Sequence, residues 1–422
     1  MMQMTRIVTI DTLGAQADGI AHEDDGDLFV PYALPGERLR IQQDGSQGEI
    51  IEILSASAQR VTPPCPHFGH CGGCVLQQAT PDFYQTWKQT HLAETLRQGG
   101  LNTVPEPMQS AHGSGRRRMT IHARRIDGHW QVGFMARRSH QIIAITHCML
   151  GVPALQAAFS IAQSLVEALG GDKPLDVQIT ATESGLDVDM RGHGPVSQGK
   201  RRVLSHTAAH LGLARLSVHH DLIVEQRPPQ LRMGSSILCP PSGGFLQATE
   251  AGETLLAELV LQASAKAKSI ADLFAGAGTF SLRLAQSARV HAVEHDAAAL
   301  AALERAARNT SHLKPLSTEQ RDLFKRPLLP TELTAYDTVV FDPPRAGTQM
   351  QVQQLARSSV KRIVAVSCNP ATFVRDAKIL IEGGYALEKL WPVDQFLYSA
   401  HLELVALFTK AKSTSPPRRL FS

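Results

Sequence analysis

From about Gly244 onward the chain alternates short apolar runs with helical stretches, and this grammar restricts the fold more than any other feature. A helix over 250–263 leads into a strand at 270–273, a glycine loop and a helix at 280–286. Then come a strand at 290–293, a helix at 297–307, a strand at 338–341, a helix at 350–358, a strand at 362–366 and a helix from Ala371. Two last strands are read at 386–393 and 401–408. Strands that alternate with helices predict a doubly wound parallel sheet. In such a sheet ligands lie beyond the carboxyl ends of the strands, so the residues just past each strand carry the functional information.

Past the first of these strands stands Asp272-Leu273-Phe274-Ala275-Gly276-Ala277-Gly278-Thr279-Phe280-Ser281. Gly276 and Gly278 let backbone N–H groups and a helix N-terminus approach a polar ligand. The third glycine of the dinucleotide fingerprint is missing, because position 281 is Ser, which argues against NAD or FAD. Glu294 ends the next strand, 18 residues after Gly276, where an acid can take both ribose hydroxyls. Past the strand at 338–341 stands Asp342-Pro343-Pro344-Arg345, and past the strand at 362–366 stands Ser367-Cys368-Asn369-Pro370. A thiol there precedes a helix N-terminus, which is expected to lower its pKa. A nucleotide-cofactor loop and an attacking thiol in one sheet point to covalent group transfer. Cys239, beside Pro240-Pro241, has no such context and reads as an ordinary free thiol.

The N-terminal half reads differently. Short alternating runs at 7–10, 28–30, 39–41 and 49–53 are separated by turn clusters at 14–19, 24–27, 35–36 and 44–48, as in a small OB-like β-barrel. A helix at 82–98 stops at Gly99-Gly100 and is free to pack on the C-terminal half. Residues 115–235 alternate strands with one helix, near 153–169, an α+β pattern. The division is therefore 1–58, a barrel; 59–240, a central domain; 241–412, the α/β domain; and 413–422, a polar, disordered tail.

Between barrel and helix, Cys65, Cys71 and Cys74 are spaced Cys-x5-Cys-x2-Cys, with Cys148 as a distant fourth. The start of the chain lacks the apolar core and cleavage site of a signal peptide, so a cytoplasmic location and metal ligation are expected, rather than a disulfide framework. Four thiolates suit zinc or an iron–sulfur cluster. Zinc sites usually pair Cys-x2-Cys units at both ends, and only one such pair exists, so a cluster fits the spacing better. Its distance in sequence from Cys368 implies a structural role. No apolar run reaches the roughly 18 residues of a membrane helix. Net charge is only +3, but residues 111–140 hold seven arginines against one acid, whereas residues 1–58 hold ten acids against three arginines. The basic footprint for a phosphate backbone is thus expected in the centre, not the barrel.

Taken together, the 272–280 loop, Glu294, Asp322, Asp342-Pro-Pro-Arg and Ser-Cys368-Asn-Pro resemble class I methyltransferases that use S-adenosylmethionine, and more narrowly the RNA uracil-5-methyltransferases. The resemblance spans nearly the whole chain. The N-terminal segment is similar to a TRAM domain, and Gly243-Gly244-Phe245-Leu246-Gln247 to the family's aromatic-and-glutamine motif. It implies that Gln247, Phe274, Thr279, Glu294, Asp322 and Asp342 line the cofactor pocket, with Asp322 on the adenine side. Phe245 would stack on a flipped base and Asp342 would hydrogen-bond the uracil edge. It implies further a 4Fe–4S cluster on Cys65, Cys71, Cys74 and Cys148, as in the ribosomal-RNA members.

The chemistry accounts for these residue types. Carbon 5 of uracil is a poor nucleophile until a thiolate adds to carbon 6 and turns the ring into an enolate. A base must then remove the proton left on carbon 5. Cys368 is the implied nucleophile and Glu403, in His401-Leu402-Glu403, the implied base. From its pattern alone Glu403 reads more readily as a solvent-facing strand residue, and Phe245 reads equally as a core residue. The family's Asp-x-Phe-Pro appears here as Asp394-Gln395-Phe396-Leu397. Arg345 in place of an aromatic ring counts against methylation of an exocyclic amine. The expected partner is RNA, 23S ribosomal RNA ahead of transfer RNA, and the expected state a monomer. The alternatives are an enzyme acting on another RNA atom and a non-catalytic iron–sulfur RNA-binding protein.

Overall fold

A computed structural model of the chain describes residues 4–410 apart from residue 25. The tail expected to be disordered lies outside the described residues. Six strands between Met4 and Ser55 form the first sheet, in the spatial order first, fifth, sixth, fourth, third, second. Alternate side chains face inward, so Val8, Ile10, Ala21, Leu28, Val30, Leu39 and Ile41 form a core of their own. The segment 14–19, expected to be a turn, is already strand from Asp18, in Asp18–Glu23. Gly19 permits this: a Cβ there would lie 2.7 Å from the Ala33 methyl and 2.9 Å from Ile10, so only glycine lets the strands close.

Seven strands between Arg118 and Glu225 form a second sheet, covered by helix Ala158–Leu169. A second helix, Gln198–His210, was not expected. It buries only Leu204 and Ala208, one turn apart, so its apolar stripe is too thin to show as a period.

The third sheet has eight strands. Across it run Leu316–Gln320, Arg289–Glu294, Ser269–Leu273, Thr338–Phe341, Arg362–Ser367, Glu403–Lys410, Tyr385–Asp394 and Gln109–Ser110. The first five are parallel. Glu403–Lys410 is antiparallel to both neighbours, and Gln109–Ser110 arrives from the N-terminal half of the chain. Strand Leu316–Gln320 escaped the sequence pattern because it is a half-buried edge with one apolar residue, Leu316. The four innermost parallel strands are apolar on both faces, as helices on each side require. Leu92 and Leu96 of helix Pro81–Gln98 belong to the core on one face, and helix Glu250–Ala263 to the core on the other. No helix among the described residues is long and apolar enough to cross a membrane.

Several of the central arginines fasten distant parts of the fold together. Arg117, 6% exposed, donates to Glu253 and to the Gln247 carbonyl at 3.1 Å. Arg118 donates to the Gly244 carbonyl at 3.1 Å, and Arg125 pairs with Asp172. Arg137 and Arg138 both reach Asp18, at 2.8 and 2.7 Å, and so tie the first sheet to the second. Charge counted along the sequence does not show this pairing, because the acids that Arg117, Arg125, Arg137 and Arg138 meet are supplied by distant elements. Glu253, 1% exposed, receives Arg117 from one side and Arg283 at 2.8 Å from the other. Removing it would strand two buried guanidinium groups. Replacing Glu253 with leucine should therefore cost about 3–5 kcal/mol of stability, read by chemical denaturation. A loss under 1 kcal/mol would mean that solvent reaches this pair after all.

Candidate active site

The five parallel strands end at one edge, and the residues singled out from the sequence stand along it. Just past successive strands come Asp322, Glu294, Phe274, Asp342 and Cys368. Glu403 joins them because its strand runs the other way. Ser367 pairs with Leu404, so the next residues, Cys368 and Glu403, face each other across the end of the ladder.

The cofactor side is a tight loop. Phe274, Gly276 and Gly278 all have left-handed backbone, with φ of 60°, 53° and 96°. Nothing lies within 4 Å of a Cβ built on Gly276, so the loop leaves room there. Glu294 accepts the Gly276 N–H at 2.9 Å and the His295 and Asp296 N–H groups at 2.6 and 2.9 Å. A carboxylate offers about four acceptor sites, so one remains for a ribose hydroxyl. Arg283 fixes the loop by donating to the Thr279 carbonyl at 2.7 Å. Asp272, fully buried, receives the Ser281 hydroxyl on one oxygen and has no partner on the other. The rings of Phe274 and Phe324 lie 5.4 Å apart, beside Asp322, at a place suited to a flat heterocycle. The spare acceptors, the open glycine and these rings fit S-adenosylmethionine.

The reaction side is electrostatically tense. Cys368 precedes Asn369, whose side chain caps helix Pro370–Glu382. The expected lowering of its pKa does not hold. Burial, then Glu403 and Asp342, push the thiol up to about 11, against the weaker pull of Arg345. Glu403 is 4% exposed, which removes the surface reading, and burial and Asp342 push its carboxyl up to about 8. Burial and Asp272 push Asp342 up to about 7. Gln247, from the segment after the second sheet, donates to Asp342 at 3.3 Å. Phe245 is 70% exposed with the Arg118 guanidinium 5.3 Å from its ring centre, so it is not a core residue.

A groove of about 680 Å³ opens on Cys368, Asn369 and Arg345. Its other walls are Ala15 and Gln16 of the first sheet, Lys88 and His91 of helix Pro81–Gln98, and Gly72 and Gly73 of the cysteine loop. Cys65, Cys71, Cys74 and Cys148 all line a second cavity, of about 420 Å³. Burial pushes Cys74 up to about 12 and raises Cys71 and Cys148, with the other thiols adding to it. Among the described residues no three His, Cys, Asp or Glu side chains converge closely enough to hold a metal ion. Gly72, Gly73 and Arg116 line both cavities. The cysteine loop thus stands next to the active site despite its distance in sequence.

Several functional residues escaped the sequence reading. Lys88 is 3% exposed and donates to Asp394 at 2.7 Å and to the carbonyls of Phe396 and His401 at 3.3 and 2.9 Å. Asp394 is buried, yet hydrogen bonds from His112, Lys88 and Tyr84 hold its carboxyl well below the usual range. A signal was present: Lys88 falls on the stripe of Tyr84, Leu92 and Leu96, at four-residue spacing, where an apolar residue belongs. Arg345 donates to His401 at 2.9 Å, and burial and that guanidinium push the imidazole down to about 4.

The chain is similar to known proteins over nearly its whole length. The family profile described as tRNA (Uracil-5-)-methyltransferase matches residues 216–411. An RNA methyltransferase of Agrobacterium fabrum is 45% identical over 96% of this chain and all of its own length. The 23S rRNA (uracil(1939)-C(5))-methyltransferase of Halomonas elongata is 32% identical over 95% of this chain and 89% of its own. In fold, the chain is similar to the tRNA (uracil-54, C5)-methyltransferase of Pyrococcus abyssi, with a TM-score of 0.74 at 21% identity, over 96% of this chain and 99% of that one.

The raised thiol has a measurable consequence. The thiolate is the reactive form, so alkylation of Cys368 in the free protein should be slow at pH 7 and rise towards pH 11. Glu403→Gln removes one facing negative charge, so alkylation at pH 8 should quicken, about tenfold for each unit by which the thiol pKa falls. Peptide mapping after timed iodoacetamide exposure separates Cys368 from the other cysteines. An unchanged rate would mean that Glu403 does not act on the thiol.

Proposed function

The chain belongs to the RNA (uracil-5-)-methyltransferase family, and we propose that it methylates carbon 5 of a uridine in 23S ribosomal RNA through a covalent bond from Cys368 to carbon 6. The observation that carries this reading is the facing of Cys368 and Glu403 across the end of one ladder, with Asp342 on the adjacent strand. S-adenosylmethionine supplies the methyl group as a sulfonium. Gln247, Phe274, Thr279, Glu294, Asp322 and Asp342 hold it in place along the sheet edge. Phe245 stacks on the extruded base.

The protein's own steps follow from the site. The carboxylate form of Asp342 takes the thiol proton and, now protonated, donates it as a hydrogen bond to the uracil carbonyl. The thiolate of Cys368 adds to carbon 6, and the carbonyl oxygen, held by that proton, takes up the electron pair as an enolate. Carbon 5 then accepts the methyl group. The carboxylate form of Glu403 removes the remaining proton from carbon 5, the ring double bond re-forms, and the thiolate leaves and takes its proton back from Asp342. The first sheet acts as a TRAM-type RNA module, and the enzyme works as a single chain in the cytoplasm. The ribosomal target is favoured by the match to a 23S rRNA enzyme, 32% identical over 95% of this chain.

The four cysteines ligate a 4Fe–4S cluster in this reading. Four thiols around one cavity and the Cys-x5-Cys-x2-Cys spacing support it. Purified without oxygen, the protein should be brown, and replacing any of Cys65, Cys71, Cys74 or Cys148 should bleach it. Colourless protein with one zinc per chain would overturn the assignment.

Two substitutions test the chemistry. Cys368→Ser should reduce turnover at least ~100-fold while cofactor titration stays within about twofold. Glu403→Gln should accumulate a methylated protein–RNA adduct, visible as a shifted band on a denaturing gel. Normal activity in Cys368→Ser would end the covalent mechanism, and normal activity in Glu403→Gln would end the role of Glu403 as the base. Mapping methylated uridines in cells that lack the protein identifies the RNA, and loss from transfer RNA alone would overturn the ribosomal target.

A further inference from the structure

One buried amide joins the groups of this reaction and has no role in the steps above. Gln395, 1% exposed, follows strand Tyr385–Asp394. Its nitrogen donates to Glu403 Oε1 at 3.1 Å and to Gln247 Oε1 at 2.8 Å. Gln247 donates in turn to Asp342. The Gln395 carbonyl oxygen is buried with no partner. Turning the amide over would aim that oxygen at two acceptor oxygens, so its partners fix its orientation.

The rest of the fold is shaped around this side chain. A Cβ on Gly252 would lie 2.5 Å from Gln395 Oε1 and 2.8 Å from its Cβ. Gly252 stands within helix Glu250–Ala263, where glycine is a poor helix former, and the close approach of Gln395 explains it. On the other side, Lys88 binds Asp394, Phe396 and His401, and so clamps the backbone on both sides of Gln395.

We propose that Gln395 is the positioning residue of the base: it holds the Glu403 carboxylate facing carbon 5 of the bound uracil, at a place set by the clamp of Lys88 and by the gap at Gly252. This rests on Glu403 being the base. Besides orienting the carboxylate, the donated N–H favours its ionised form, which burial and Asp342 oppose.

Gln395→Met keeps the length of the side chain and removes the donor. Elimination should slow while methyl transfer to carbon 5 does not. In the full-length protein, a single turnover should transfer methyl to RNA within about twofold of the unaltered rate, and steady-state turnover should fall about tenfold. A methylated protein–RNA adduct should accumulate, and the acid limb of the turnover–pH profile should move to higher pH. Gly252→Ala, which displaces Gln395 without altering it, should show the same adduct at a lower level and serves if Gln395→Met does not fold. Lower turnover with no adduct and an unmoved limb, or unchanged turnover, overturns the proposal. Glu403→Gln in parallel separates the two failures. An adduct there but not in Gln395→Met removes the positioning role alone. No adduct in Glu403→Gln removes the base, and the proposal falls with it.

Discussion

The site depends on one reversal of direction. Strand Glu403–Lys410 inserts antiparallel between Arg362–Ser367 and Tyr385–Asp394. Parallel strands deliver only their carboxyl ends to the functional edge. The reversed strand delivers its beginning there, so a residue near the end of the chain faces one that follows a parallel strand. The backbone ladder fixes the register, and a slip by one residue would turn Glu403 to the other face of the sheet.

That nearness has an electrostatic cost. The carboxyl groups that the proposed chemistry places beside the thiol, Glu403 and Asp342, also oppose its ionisation. The helix that begins at Pro370 and the Arg345 guanidinium act in the opposite sense and are outweighed. The same burial keeps both carboxyl groups close to neutrality, where proton exchange with a substrate is least costly.

Buried charge also joins the three sheets. Arg117 and Arg283 meet on Glu253, Arg137 and Arg138 meet on Asp18, and Lys88 meets Asp394. Each joins segments far apart in sequence, and two of the three adjoin the site: Arg283 holds the Thr279 carbonyl, and Asp394 precedes Gln395. Through Arg116, Gly72 and Gly73 the cysteine cavity shares a wall with the groove over Cys368, so a change in that loop alters the groove as well.

The sequence by itself determined what periodicity and strand-end position can carry. The run of strands and helices from 250 to 408, the glycine loop, Glu294, Asp342 and Cys368 were legible because a strand buried on both faces is an apolar run and its functional residue comes next. What was weakly apolar was lost, as with helix Gln198–His210 and the edge strand Leu316–Gln320. Only the tertiary structure decided where charge goes. Arg117, Arg125, Arg137 and Arg138 looked free because their partners, Glu253, Asp172 and Asp18, stand elsewhere in the chain. The direction of the thiol's pKa, the burial of Glu403, the exposure of Phe245 and the place of Gln395 were likewise undetermined. Desolvation and ion pairing depend on distances between elements, and local sequence encodes the elements but not those distances.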